Sequence, residues 1–390
     1  MQKAEKKHLI QTYDRYQIAL SHGRGAYLYG PGGKRYLDFV TGIGVMALGY
    51  AHPAVTRVLR EQSTRLVHTS NLFYTPFQSL LAKRLAALSG LDRAFFCNSG
   101  SEAIEAAFKF SRAFARAEHQ RGRVRFLALE NAFHGRTMGA VAATFTAKYR
   151  EPFAPTMPGV SFVRFDDVAD LRRKFDAKVC AVCVEPVQGE GGIRPVSRGF
   201  LREARRLTRK TGALLICDEI QCGLGRTGRM FAFQHSGIKP DLVTLAKPLA
   251  AGLPLGAVLA TNRVARAITP GMHGTTFGGG PLACAVALEV LAVLERDRLL
   301  ARARELGSYF LSRLQALAAK HDAVKEARGL GLMLALELKD EGVAKTVQKR
   351  LLARGIIINR THGTTLRLLP PYIIRRGQID EVVAALDEAL

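Results

Sequence analysis

A chain of 390 residues, 48% hydrophobic and 23% charged, has the composition of an ordinary globular protein, which excludes the disordered, collagen-like and coiled-coil classes. At about 150 residues per domain the length suits two or three domains. Lysine and arginine total 57 against 33 acidic residues, a net charge of +24, which raises nucleic acid or an acidic protein as a partner.

The N-terminal stretch MQKAEKKHLIQTYDRY lacks the apolar core of a secretory leader, and no run of about 18 apolar residues follows, so a soluble cytoplasmic protein is expected. Residues 26–40 alternate around a Pro-Gly-Gly turn and predict a hairpin, followed by a glycine-spaced stretch at 41–53. Strands are predicted at 94–97, 124–130, 160–165, 179–186, 213–219, 241–246 and 256–261, with amphipathic helices between them at 102–118 and 200–210. This is the pattern of an α/β fold: a mostly parallel seven-stranded sheet with helices on both faces and ligand chemistry at the carboxyl ends of its strands. From Pro281 a long helix runs to about Lys320 with a break near Asp297. Strands at 331–338, 355–359 and 364–370 and helices at 343–354 and 377–389 then predict a smaller α+β domain. The expected division is an N-terminal segment, 1–55, that joins the small domain, a large domain at 56–290 and a C-terminal small domain at 291–390. The six cysteines lie in apolar runs or beside a glycine-rich turn and predict free thiols. Cys180 and Cys183 should face opposite sides of a strand, and no second pair completes a zinc site, so no metal is expected.

Four strand ends carry polar residues where a packed sheet would favour apolar ones. Ser99-Gly100-Ser101-Glu102 ends a strand and opens a helix, which is either a plain cap or a cradle for a phosphate. Asp218-Glu219 follows five apolar residues and needs a cationic partner or strong donors. Lys247, fixed ahead of Pro248, is a positioned amine or one half of an ion pair. Glu185 and Glu190 lie in the glycine-rich turn EPVQGEGG, which by itself reads as an acidic loop. Together, an anion cradle, a buried carboxylate and a lysine on strand ends of one sheet are what pyridoxal 5′-phosphate requires.

The same residues carry a family resemblance. Ser99-Gly100-Ser101-Glu102-Ala103, Ala132-Phe133-His134-Gly135-Arg136-Thr137, Glu185 to Gly192, Asp218 to Gly228, Thr244 to Lys247 and His273 to Gly279 resemble, in order and spacing, the class III aminotransferases of fold type I. Within that family the likeness is greatest to the acetylornithine branch. The resemblance implies a pyridoxal-phosphate enzyme that moves the δ-amino group of N2-acetylornithine to 2-oxoglutarate, as in arginine biosynthesis. It implies that Gly100 and Ser101 bind the cofactor phosphate, with Thr276 reaching it from the other subunit of a homodimer. Phe133 would stack on the ring, Asp218 would pair with its nitrogen, Gln221 would contact its hydroxyl, and Lys247 would hold it covalently and shuttle the proton. Arg136 and Thr275 would meet substrate, Arg367 would take the α-carboxylate of glutamate, and Glu190 would neutralise Arg367 when no carboxylate is present.

Departures at Ile104, Ala250-Ala251, Phe277 and Gly280 bear on the donor and leave other ω-amines open: ornithine, succinylornithine, 4-aminobutyrate, or an amine on an acidic carrier protein. A nucleic-acid partner is not expected. Arg198, Arg202, Arg205, Arg206, Arg209 and Lys210 surround a helix whose stripe is Leu201, Ala204 and Leu207, which reads as a solvated face without the aromatics of single-strand binders.

Overall fold

In the computed structural model, which describes residues 2–390, a seven-stranded sheet runs in the order Arg93–Cys97, Gly256–Ala260, Leu242–Leu245, Leu214–Asp218, Val179–Val184, Arg125–Leu129, Val160–Val163. Neighbours are parallel except around Gly256–Ala260, which is antiparallel to both strands beside it. Each strand was predicted from its apolar run. Because side chains alternate across a sheet, successive residues feed two cores. Phe126, Ala128, Leu214 and Ile216 pack with the buried stripe of helix Gly100–Ala117, whose Ala103, Ala107, Phe110 and Phe114 recur at helical spacing. Leu127, Leu129, Leu215 and Cys217 join the opposite core with Phe200, Leu201 and Ala204 of helix Arg198–Thr211.

Two expectations are corrected here. The pairing of Arg125–Leu129 with Val179–Val184 skips Cys180, and this bulge lets Cys180 and Cys183 enter the same core instead of opposite faces. All six cysteines are buried free thiols. Arg205 is not on a solvated face: it is buried and bonds the Asp241 carboxylate through two nitrogens, while Arg202 donates to the Ser236 carbonyl at 3.1 Å. Asp241 also accepts from the Leu215 amide at 2.9 Å, so this pair ties the helix to the sheet edge where two strands begin.

The remaining strands form smaller sheets. His22–Arg24, Tyr27–Tyr29 and Arg35–Asp38 are joined in parallel by Ile356–Ile357, so the N-terminal hairpin shares a sheet with the C-terminal part of the chain. Val324–Leu330, Met333–Leu338, Thr365–Leu368 and Asn359–Thr361 form an antiparallel sheet. The long helix breaks as expected into Pro281–Arg296 and Leu299–Lys320, with Arg298 left-handed at φ 52°. Arg226, fully buried, locks the two parts together by donating to the carbonyls of Leu332 and Pro370 while its guanidinium lies 4.5 Å from the Tyr372 ring centre. Among the described residues no helix is long and apolar enough to cross a membrane.

The contrast between Arg205 and its exposed neighbour Arg209 is testable. Arg205→Ala leaves the buried Asp241 carboxylate without its cation and should cost about 3 kcal/mol in denaturant unfolding. Arg209→Ala should change stability by less than about 0.5 kcal/mol.

Candidate active site

The polar strand ends converge on one cavity of about 330 Å³ at the carboxyl edge of the parallel strands. Most of the polar wall residues lie just beyond strand ends. Ser99, Gly100 and Ser101 lie beyond Arg93–Cys97, where the Ser99 hydroxyl caps helix Gly100–Ala117 by accepting from the Glu102 amide at 3.2 Å. The helix N-terminus therefore faces the cavity with small residues only. At Gly100 a Cβ would come within 2.9 Å of Ile220, and at Gly135, with φ 136°, within 2.2 Å of the Ser101 hydroxyl. This backbone cradle suits an anion held by amide N–H groups.

Asp218 ends the central strand and is buried. Its Oδ2 lies 2.7 Å from His134 Nδ1, and its Oδ1 accepts from Thr244 Oγ1 and the Ile220 amide, each at 3.1 Å. Thr244 is its partner in the neighbouring strand, so the register of the sheet supplies that donor. His134 was not predicted to have a role, although it directly follows Phe133 in the sequence. Burial opposes a charge on its ring, but Cys183 and the Asp218 carboxylate outweigh burial and raise its pKa well above the usual histidine range.

Lys247 follows strand Leu242–Leu245 with φ 30°, an unfavourable backbone for a side chain with a Cβ, and it is half-buried in the cavity wall. Burial lowers its pKa; the Glu190 carboxylate opposes this and the Arg367 guanidinium reinforces it. Glu190 pairs with Arg367, Oε1 to Nη1 at 2.5 Å. Burial raises the Glu190 carboxyl, but Arg367 and Lys247 outweigh it and bring the pKa below its usual value. Arg367 is 1% exposed and donates further to Gln221 Oε1 at 3.3 Å and Asn359 Oδ1 at 3.2 Å. Glu185 uses both oxygens on backbone, accepting from Phe133 N at 2.9 Å and Gly189 N at 3.0 Å, and burial pushes its carboxyl up to about 7.

Lys247, Asp218, Gly100, Ser101, Phe133, Gln221 and Glu190 thus share one cavity, and Arg367 reaches it through Glu190 and Gln221. Arg136 stands apart from its wall. It is exposed, and its guanidinium lies 3.6 Å from the centre of the Tyr149 ring, which meets Phe133 edge to face. Thr276 is exposed and outside this cavity, and Thr275 accepts from Asn98 Nδ2 at 3.0 Å behind it. The arrangement complements a flat ring that carries an anion, a basic nitrogen and a carbonyl, while leaving an arginine beside it for a carboxylate.

The class-III aminotransferase family model matches residues 10–390. The chain belongs to the class-III aminotransferases. Over 384 residues this aminotransferase is 46% identical to the acetylornithine aminotransferase of Methanocaldococcus jannaschii, with 98% of this chain and 96% of that one covered. The ornithine aminotransferase of Toxoplasma gondii superposes with a TM-score of 0.95 at 35% identity, covering 99% of this chain and 93% of that one. An amine transaminase from an uncultivated Pseudomonas species, solved in its PLP-bound form, matches with a TM-score of 0.94 at 30% identity, covering 99% of this chain and 98% of that one.

Next to Asp218, Glu219 turns away from the aminotransferase cavity and accepts from the amides of Ala232 at 2.8 Å and Phe233 at 2.7 Å. Burial pushes its carboxyl from 4.5 up to about 7. Between these two pH values the unfolded chain has lost this proton and the folded chain has kept it, so stability falls as pH rises through the window. Over that range the group should cost the fold about 3 kcal/mol. Glu219→Gln cannot titrate. The unfolding free energy of wild type minus that of the variant should therefore drop by about this amount from the lower to the higher pH, and a pH-independent difference would contradict the assignment.

Proposed function

We propose that this class-III aminotransferase binds pyridoxal 5′-phosphate in the cavity and transfers the δ-amino group of N2-acetyl-L-ornithine to 2-oxoglutarate, giving N-acetyl-L-glutamate 5-semialdehyde and L-glutamate. The observation that carries this reading is the meeting of the Lys247 amine, the Asp218 carboxylate and the Gly100–Ser101 helix N-terminus in one cavity, with Arg367 held beside it by Glu190. When bound, the cofactor supplies an aldehyde for amines and a protonated ring that accepts the electron pair of a broken C–H bond.

The protein's residues supply the rest. The amides of Gly100 and Ser101 would hold the phosphate at the positive end of the helix, where the Ile220 side chain leaves no room for a Cβ at Gly100. Phe133 would lie against the ring and Gln221 would meet its hydroxyl. Asp218 would pair with the ring nitrogen, and its contacts with His134 and Thr244 hold that carboxylate in place. Lys247 would hold the cofactor and, as a free amine, would carry the proton taken from the substrate carbon, a task for which its burial-lowered pKa suits it.

Two arginines read the substrates in turn. Arg136, braced on Tyr149, takes the carboxylate remote from the reacting amine. With the acetylated donor no carboxylate lies beside that amine, and Glu190 neutralises Arg367. With glutamate, Arg367 is given over to the α-carboxylate. Thr276, exposed in a single chain, would reach the phosphate of the other subunit of a homodimer, and Thr275 would meet substrate. The enzyme is assigned to the cytoplasm on the same reading.

A donor panel tests the substrate. kcat/KM for N2-acetylornithine should exceed that for ornithine and for 4-aminobutyrate by at least ~10-fold, and a higher value for either would replace the proposed donor. In wild type, borohydride should fix the cofactor to Lys247, read by mass spectrometry. Lys247→Ala should carry none there and turn over at least ~1,000-fold more slowly, and undiminished turnover would sink the proposed chemistry. Glu190→Gln leaves Arg367 uncompensated during the donor half-reaction. Its kcat/KM for donor should fall about tenfold while the glutamate half-reaction is spared, and equal effects on both halves would remove the gating role.

A further inference from the structure

The strand Asn359–Thr361 pairs antiparallel with Thr365–Leu368, setting Asn359 opposite Arg367 and Thr361 opposite Thr365. Alternation along each strand puts these four side chains on one face and Arg360 on the other. Arg360 accordingly bonds Glu341 and the Gly363 carbonyl, away from the cavity. On the shared face Asn359 Oδ1 accepts from Arg367 Nε at 3.2 Å, and Thr361 Oγ1 lies 2.6 Å from the Glu190 carbonyl and 3.2 Å from Glu190 Oε2. A threonine hydroxyl has one proton and serves one of these two oxygens at a time. While Arg367 holds Oε1, the shorter contact with the carbonyl takes it.

The loop bearing Glu190 is clamped on both sides. Glu185 accepts the Gly189 amide, and Arg328 donates twice to the Gly192 carbonyl, at 2.9 and 2.6 Å. A loop pinned in this way keeps the Glu190 backbone in its seat while Arg367 changes partner, and leaves the part-exposed carboxylate to move by its own side-chain torsions. Thr361 Oγ1, 3.2 Å from Glu190 Oε2, is a partner within reach of that seat.

We propose that Thr361 is a positioning residue for the substrate switch: when a substrate carboxylate takes Arg367, the Thr361 hydroxyl turns from the Glu190 carbonyl to the Glu190 carboxylate and holds the loop in place. This rests on the gating reading of Glu190 and names its second state. The change needs one hydroxyl rotation, and the β-branched threonine, stiff at χ1 in a strand, keeps the oxygen aimed at both acceptors. A hydrogen bond to a carboxylate is roughly twice as strong as one to a neutral carbonyl. Losing the hydroxyl therefore penalises the state with Arg367 released more than the state with Arg367 paired, by about fivefold.

The test uses the cofactor-loaded enzyme, with the two half-reactions measured separately and the Kd of glutarate, a dicarboxylate without an amine, measured by calorimetry. Thr361→Val should raise the KM for glutamate and the Kd of glutarate about fivefold while the KM for N2-acetylornithine stays within twofold, and Thr361→Ser should restore wild-type values. Should valine not be accommodated, Thr361→Ala removes the same hydroxyl and carries the same expectation. Unchanged glutarate binding, an equal loss in both half-reactions, or failure of serine to restore it overturns the proposal. If Glu190→Gln shifts the balance between half-reactions and Thr361→Val does not, the role of Thr361 alone is refuted. If neither does, the gating reading falls and this proposal with it.

Discussion

A guanidinium buried to 1% exposure is costly without an anion beside it, and Arg367 imposes that condition on everything around it. Its partners come from separate parts of the chain: Glu190 from the loop after the Val179–Val184 strand, Gln221 from the turn after the central strand, and Asn359 from the strand paired beside it. Holding them together requires the contacts between the large sheet and the C-terminal antiparallel sheet, which Arg226 also secures. The substrate switch and the packing of the two parts of the molecule thus rest on the same buried cation.

The cavity balances its charges internally. Asp218, Glu185 and Glu190 face His134, Lys247 and Arg367, and the shifts of Glu185, Glu190, His134 and Lys247 each carry contributions from charged neighbours in this set. Burial lowers Lys247 toward the free amine while Glu190 draws it back, so the state of the gate and the basicity of the lysine are linked. Removing Glu190 from Arg367 does not remove it from the field of Lys247, provided that the loop stays in its seat. The +24 surplus has no counterpart in this site and belongs to the rest of the chain, where a structural pair such as Arg205 with Asp241 adds nothing to it.

The seven strands of the large sheet were legible because buried strands are continuous apolar runs, and the polar residues that ended those runs were the site. What escaped was whatever depends on register or on a partner distant in sequence. The bulge at Cys180 leaves no mark in an apolar run. Arg205 looks like its neighbours until Asp241, far along the chain, is folded against it. The strand Val324–Leu330, sequence VKEARGL, carries too many charges to stand out, because Arg328 and Glu326 are satisfied by each other and by the next strand. Asn359 and Thr361 showed an alternation with Arg360 between them, yet nothing local says that the face they share is the one bearing Arg367. The motifs named the chemistry of the candidate site, while its supports, His134, Thr244 and Thr361, needed the fold.

The site exchanges the partner of one buried arginine without opening the loop that carries its counter-ion. The most direct measurement is a crystal structure of the cofactor-loaded enzyme with glutarate bound. The Arg367 guanidinium should lie on a glutarate carboxylate, with the Glu190 carboxylate within hydrogen-bond distance of Thr361 Oγ1 and the backbone of residues 189–192 unmoved. A glutarate complex in which Arg367 still holds Glu190, or in which this loop has swung into solvent, would contradict it.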